Sequence, residues 1–360
     1  MSARVVAILV LLLAVLGGGA LLTQREERAR KPENVATLGR ALFKEVKAAE
    51  IAAIRIVEPD ATLTLERKED SWVLAERAGF PADLAKVREF VVKLIELKVG
   101  QSEPLGEKDR ARLNLDEPGK GATAGTRVEL NGADGKPLGV LIVGRKYFKR
   151  EVENPGKAIA DGRFVALPAE AGTAYLVGDP LTQASAKSAE WIDRASFQVE
   201  KVKTLEVRYP GGGGWRIERA GDNAEWRLAG AGSGEKLDIS KANAASYSLS
   251  LLELADVAPA GAADTGLDKP VAIEATTLDG LAYSIKVGKL AGDSYYVSFG
   301  SSGTARPDPK DAERAKRLEE RLPREKLLSR HVLLVPKSKL EDTLRKRPEL
   351  LEKKDDRKQK

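Results

Sequence analysis

The sequence predicts an α+β protein in which an N-terminal transmembrane helix precedes two tandem repeats of a mostly antiparallel sheet, each with one main amphipathic helix. Three observations predict it. An uncharged apolar run fills residues 5–24. The same succession of strand-like and helix-like segments occurs twice after residue 50. Each copy consists of strands and hairpins with one long helix between them, and lacks the helical crossovers from strand to strand that a parallel sheet would require.

The apolar run comes first. As a helix, twenty residues span about 30 Å, the thickness of a hydrocarbon core. Val5, Ile8, Leu12, Leu16 and Leu22 are its anchoring positions. The alternative is a cleaved signal peptide, with Arg4 as the charged start and Gly18-Gly19-Ala20 as the cleavage site. The run continues through Leu21 and Leu22, which favours a retained anchor. Residues 1–24 therefore read as a cytoplasmic tail and membrane anchor, and residues 25–50 as a polar stalk in which Phe43 and Val46 are the first apolar positions. Arg25, Arg28, Arg30 and Lys31 outnumber Arg4, which by charge alone would keep the following chain in the cytoplasm. Long domains translocate largely regardless of such charges. The bulk of the chain is thus expected on the periplasmic or extracytoplasmic side of an inner membrane.

Two modules follow, over residues 51–195 and 196–360. Period-two alternation marks strands at 53–57, 62–66 and 71–74 in the first, and at 204–208, 215–218 and 225–228 in the second. Each set leads to a helical pattern: Leu84, Val87, Val91, Leu94 and Ile95 in one, and Ile239, Ala242, Ala245, Leu249 and Leu252 in the other. Asp83 and Asp238 supply capping chemistry. Leu-Asp-x-Pro recurs at 115–118 and 267–270, and the next hairpin closes on Val-Gly at 143–144 and 287–288. Each module then adds two strands and a helix, the first ending at Trp191 and the second at Leu351. A charged insertion at 300–330, with a helix expected over 310–320, has no counterpart in the first module.

Composition excludes much chemistry. The 360 residues contain no cysteine and one histidine, His331, so disulfides, thiolate metal sites, cysteine nucleophiles and multi-histidine centres are out of reach. Gly132 to Lys136 resembles a phosphate loop, but Pro137 stands where a metal-binding hydroxyl is needed, so a turn is expected. Gly211 to Gly214 joins two strands and does not open a helix. No cofactor and no metal is expected. Paired carboxylates remain the one route to acid-base chemistry, yet aromatic platforms are scarce at 5% of the chain.

The net charge of +6 has a single source. Residues 306–360 hold 19 Lys and Arg against 12 Asp and Glu, which leaves the preceding residues near neutrality. Interleaved signs around Arg314, Lys316, Arg317, Arg321 and Arg324 read as a helix face with i,i+4 pairs, and no nucleic-acid partner is expected. These five, with Trp191 and Trp215, form the expected interaction surface. Trp72 and Trp226 hold equivalent strand positions and read as core, and His331 as a structural side chain at a strand end.

Ser71-Trp72-Val73-Leu74, the helix ending Leu94-Ile95-Glu96-Leu97, Leu115-Asp116-x-Pro118 and the Val143-Gly144 close, preceded by a single apolar anchor, resemble the bacterial membrane-anchored family known as domain of unknown function 4340, in two tandem copies. The resemblance implies association with subunits of ABC-type export systems of the gliding-motility kind, and carries no catalytic residues. The expectation is a non-enzymatic, membrane-anchored, extracytoplasmic interaction module, an accessory of an ABC-type export or gliding-type transport complex. Its partners would be the bacterial inner membrane and the transporter subunits. The alternative is a cell-envelope carbohydrate-binding or hydrolysing protein that uses carboxylates between the two modules.

Overall fold

The computed structural model describes residues 37–119, 121–150, 158–194, 197–306, 308–309 and 311–352. Two compact units are present: residues up to 62 with 88–186, and residues 63–87 with 187–360.

The first sheet comprises β1 (Ala53–Val57), β2 (Thr62–Lys68), β3 (Ser71–Leu74), β4 (Phe80–Pro81), β5 (Val99–Pro104), β6 (Thr126–Asn131), β7 (Pro137–Arg150), β8 (Ala158–Ala166) and β9 (Thr173–Val177). Their order is β4-β3-β2-β1-β6-β7-β8-β9-β5. The second holds β10 (Val202–Arg208), β11 (Gly214–Glu218), β12 (Arg227–Leu228), β13 (Asp256–Val257), β14 (Val271–Thr277), β15 (Leu281–Ala291), β16 (Ser294–Gly303) and β17 (Leu333–Pro336). Its order is β12-β11-β10-β14-β15-β16-β17-β13. The strands form where alternate residues are apolar, so that one face is buried: Ile54 and Ile56 on β1, Leu205 and Val207 on β10, Trp215 and Ile217 on β11.

Five α-helices accompany them among the described residues: α1 (Leu84–Ile95), α2 (Glu107–Leu113), α3 (Ser188–Trp191), α4 (Ile239–Tyr247) and α5 (Ala312–Leu328). On α1, Val87, Phe90, Val91 and Leu94 make a continuous buried stripe, and Asp83 Oδ1 caps its start by accepting from the amides of Ala85 and Lys86 at 3.1 and 3.2 Å. Asp238 caps α4 in the same way. The buried positions of α4 itself are only Ala242 and Ala245, so it fills far less space.

The expected fold class is corrected on two counts. Strands dominate, seventeen among the described residues, and helices are few, so α+β gives way to two mostly antiparallel sheets. Helices expected to reach Trp191 and Leu351 shrink to the four residues of α3 and to a 3-10 turn, Arg347–Leu350. Asp179-Pro180 and the Ser and Thr residues before α3 compete for backbone bonds, and Pro348 tolerates only a first turn. The expected transmembrane helix is not found: no helix among the described residues is long and apolar enough to cross a membrane. Residues 5–24, with Val5, Ile8, Leu12, Leu16 and Leu22, lie outside the described residues.

The Val-Gly closures have a steric reason. A Cβ on Gly144 would collide with the carbonyl of Leu113 and the side chain of Leu115, and one on Gly288 with the carbonyl of Thr265. In both sheets the chain leading into Leu-Asp-x-Pro thus lies directly on the Val-Gly backbone. Residues 39–43 lie along β5: the amide of Gly39 donates to Val99 O at 2.8 Å and that of Leu42 to Leu97 O at 2.9 Å, while Leu42 and Phe43 are buried. Arg40 forks onto Glu170 at 2.9 and 3.0 Å and reaches the Tyr175 hydroxyl at 2.8 Å.

Candidate functional site

Helix α5 is the part of the charged insertion that carries the site. Asp311 caps it by accepting from the Arg314 amide at 3.0 Å. Arg314, Leu318, Glu325 and Leu328 fall on one face at helical spacing and are buried, with Arg321 half-buried among them. A helix whose buried stripe is half ionic must bring counter-charges with it.

Those charges come from distant loops. Asp279, in the tight turn between β14 and β15, accepts from Arg314 Nε at 3.0 Å and Nη2 at 2.6 Å, with both side chains buried. Gly280 beside it sits at φ +82°, which the turn requires. Arg314 Nη1 also bonds Glu200. Glu200 accepts from Arg321 Nη1 at 2.9 Å, and the same guanidinium reaches Gln198 Oε1 at 3.2 Å and the Tyr283 hydroxyl at 3.3 Å. Glu325 accepts from the Gln198 amide at 3.1 Å and from the Tyr283 hydroxyl at 3.4 Å. Arg321 Nε lies 3.1 Å from Glu325 Oε1, but its N–H is not aimed along that line. Phe197 stacked on Phe299, with Tyr283 beside them, completes the aromatic surroundings.

Burial pushes the Glu325 carboxyl up, against the pull of Arg321, and lifts the Tyr283 hydroxyl up to about 12, with help from the nearby Glu325 charge. Burial also works to raise Glu200, but Arg314 and Arg321 outweigh it and hold that carboxyl below the usual range. The cluster therefore shifts two carboxyls in opposite directions, Glu325 above and Glu200 below the usual range.

Two grooves meet at Glu200. One, of about 450 Å³, is lined by α5 side chains including Arg317, Arg321 and Arg324 and by Asp193 and Gln198. The other, of about 790 Å³, runs between residues 199–202 and α4 and is lined by Arg219, Asp222, Trp226, Asn243, Tyr247 and Leu251 among others. Trp226 donates its indole N–H to Asn243 at 2.9 Å, and the Arg219 guanidinium lies 4.8 Å over its ring. Tyr247 is 78% exposed and Leu251 46%. Small residues are the physical reason for this groove, because Ala244 and Ser246 on α4 and Ser250 in the 3-10 turn after it leave its wall low.

Of the expected interaction residues, Arg314 and Arg321 join the network, Arg324 pairs with Asp193 at 2.5 Å, and Arg317 and Lys316 are exposed, the former 3.6 Å from Glu313. The two tryptophans are not surface residues. Trp191 is buried at the end of α3, and Trp215 is buried and donates to the Arg345 carbonyl at 2.7 Å, tying the chain's own C-terminal segment to β11. Trp72 and Trp226 are buried, and His331 packs edge-on against Phe80 at 5.1 Å, its pKa lowered by burial. Sequence reasoning missed Glu200, Asp279, Tyr283, Glu325 and Tyr247. Only Tyr247 left a signal, as an aromatic residue on the polar side of α4. Among the described residues no group of three or more His, Asp or Glu is arranged to hold a metal.

A family model described as a domain of unknown function (DUF4340) matches residues 72–270. The match begins within β3 and ends just before β14, so it runs from the first sheet into the second. No curated protein and no solved structure matches the chain.

Proposed function

Because the chain belongs to the DUF4340 family, whose description assigns no activity, we propose a function from its surfaces: a non-enzymatic, extracytoplasmic interaction module held at a bacterial inner membrane, accessory to an ABC-type export or gliding-type transport complex. The observation that carries this reading is the groove beside α4, where exposed Tyr247 and Leu251 line one hollow together with the polar side chains of Asn243, Asp222 and Arg219. Tyrosine is enriched among the anchors of protein contacts, and an exposed leucine at the same groove extends the apolar surface beside it. The uncharged run at residues 5–24 supports the membrane address. The matching strand orders and the paired Leu-Asp-x-Pro and Val-Gly contacts support two tandem copies of the family's domain.

Co-purification tests the proposal. Native membranes are lightly crosslinked and solubilised, and the chain is captured by a tag placed after Lys360. Stoichiometric recovery of an ABC-type ATPase and its membrane subunit, reduced by Tyr247→Ala, is the expected result. Recovery of the chain alone, under conditions that keep other complexes intact, would overturn it. A second reading, an envelope carbohydrate in the same groove, is favoured by the planar polar side chains of Arg219, Asp222 and Asn243, which line it together with Tyr247. Retention of the full chain on an envelope-polysaccharide column, lost in Tyr247→Ala, is its signature.

A further inference from the structure

Beyond Val143, β7 leaves β6 and pairs only with β8, and β8 pairs with β9 only from Arg163 onward, so that residues 147–150 and 158–162 form a two-stranded arm with the Lys146–Arg163 pair at its base. β7 enters it through Arg145-Lys146-Tyr147-Phe148. Register shifts between Val143 and Lys146 and between Tyr147 and Phe148 break the alternation of faces. Tyr147 packs edge-on against Phe164 at 6.2 Å yet remains exposed, and Phe148 is 52% exposed.

At the base of the arm lies a hollow of about 270 Å³ whose lining includes Asn114, Thr126, Gly144, Arg145, Lys146 and Arg163. Among the described residues its lining holds three cations and no carboxylate. Arg163 is half-buried and held by two carbonyls, donating from Nε to Gly144 O at 2.6 Å and from Nη1 to Pro180 O at 3.3 Å. Among the described residues no carboxylate pairs with it, and burial alone pulls its pKa down. A guanidinium aimed by neutral acceptors, beside two more cations, is an electrostatic vacancy for an oxyanion. The glycine at 144 keeps the wall thin, because any side chain there would meet the Leu113 carbonyl.

We propose that this hollow binds the phosphate group of an anionic lipid headgroup, with Arg163, Arg145 and Lys146 facing the phosphate oxygens and Tyr147 and Phe148 seated at the headgroup level. Free phosphate offers the same oxygens, but exposed aromatic rings interleaved with basic residues are the composition of a membrane interface. The lipid source rests on the membrane reading above; the cationic hollow does not.

The chain has no cysteine, so Phe148→Cys can carry a single environment-sensitive fluorophore. The labelled full chain is incorporated into nanodiscs of phosphatidylcholine with or without phosphatidylglycerol. Co-elution with phosphatidylcholine discs alone tests the membrane reading separately. The expected result is a blue shift of the label that requires phosphatidylglycerol, fades with added salt, and is lost when Arg145→Glu and Lys146→Glu are combined or when Arg163→Gln is introduced. The same label at Tyr247→Cys should not respond. The double variant changes only exposed or half-exposed side chains, so it decides the matter even where Arg163→Gln fails to fold. A shift equal in both lipids, or none in either, would overturn the proposal. So would a response to inorganic phosphate in phosphatidylcholine discs without any response to phosphatidylglycerol, which would assign the hollow to a soluble ligand.

Discussion

Arg314 is a buried guanidinium and Arg163 a half-buried one, and they are satisfied in opposite ways. Arg314 sits at the start of α5 with Asp279 and Glu200 on its nitrogens. Arg163 has two backbone carbonyls and no described carboxylate. The C-terminal stretch carries the surplus of positive charge, yet its buried cations are consumed by partners within the fold. The near-neutral remainder of the chain carries the cationic hollow. Pairing, not the count of charges, decides where a surface has something left to bind.

The sharpest way to break this comparison is to remove the partner of the paired guanidinium. Asp279→Asn leaves Arg314 buried without its main counter-ion and should cost about 3–5 kcal/mol in denaturant unfolding. A loss below about 1 kcal/mol would mean that the pair does not hold α5 in place. The next effect is one of slope. Burial raises the Glu325 pKa above its ordinary 4.5, so the folded state holds that proton more tightly than the unfolded chain does. The corresponding stabilisation is present below pH 4.5 and is lost as pH rises through the raised value. Carboxylates held below the usual range, such as Glu200, contribute the reverse slope in wild type and variant alike. The stability of wild type minus that of Glu325→Gln should therefore fall as pH climbs from 4.5, measured by unfolding across a pH series.

Smaller effects sharpen the other side. Arg163→Gln removes a charge that has no described counter-ion and should change stability by no more than about 1 kcal/mol. A loss as large as that of Asp279→Asn would show that Arg163 is structurally paired after all. The smallest change in stability belongs to Tyr247→Ala, within about 0.5 kcal/mol because the side chain is mostly in solvent. Its consequence should appear in partner capture and not in thermal unfolding.

Much of the sheet structure was legible. Alternation located β1, β2, β3, β10 and β11, because a half-buried strand needs apolar residues at every second position. The spacing from Leu84 to Ile95 located α1. Less legible was α5, which continues past the expected end at residue 320 and contains Pro323. A proline there costs one backbone bond, and the buried anchors Glu325 and Leu328 carry the helix through it. The site was the least legible part. Asp279 reads as turn chemistry, and its second role depends on a residue 35 positions away. Trp191 and Trp215 show the opposite failure: a tryptophan unique to one half looks like a surface anchor until its burial is known. The hollow at Arg163 was hidden because Arg145, Lys146 and Arg163 converge only through the β7–β8 pairing.

The edge formed by residues 39–43 has a mechanical consequence. Tension applied from the N-terminal side meets the amide of Gly39 on Val99 O and the Arg40–Glu170 fork before it reaches the buried side chains of Leu42 and Phe43. These contacts lie within a few residues of one another and share the load. Under such a load the first bonds to yield would be polar ones, which re-form once the strain is released.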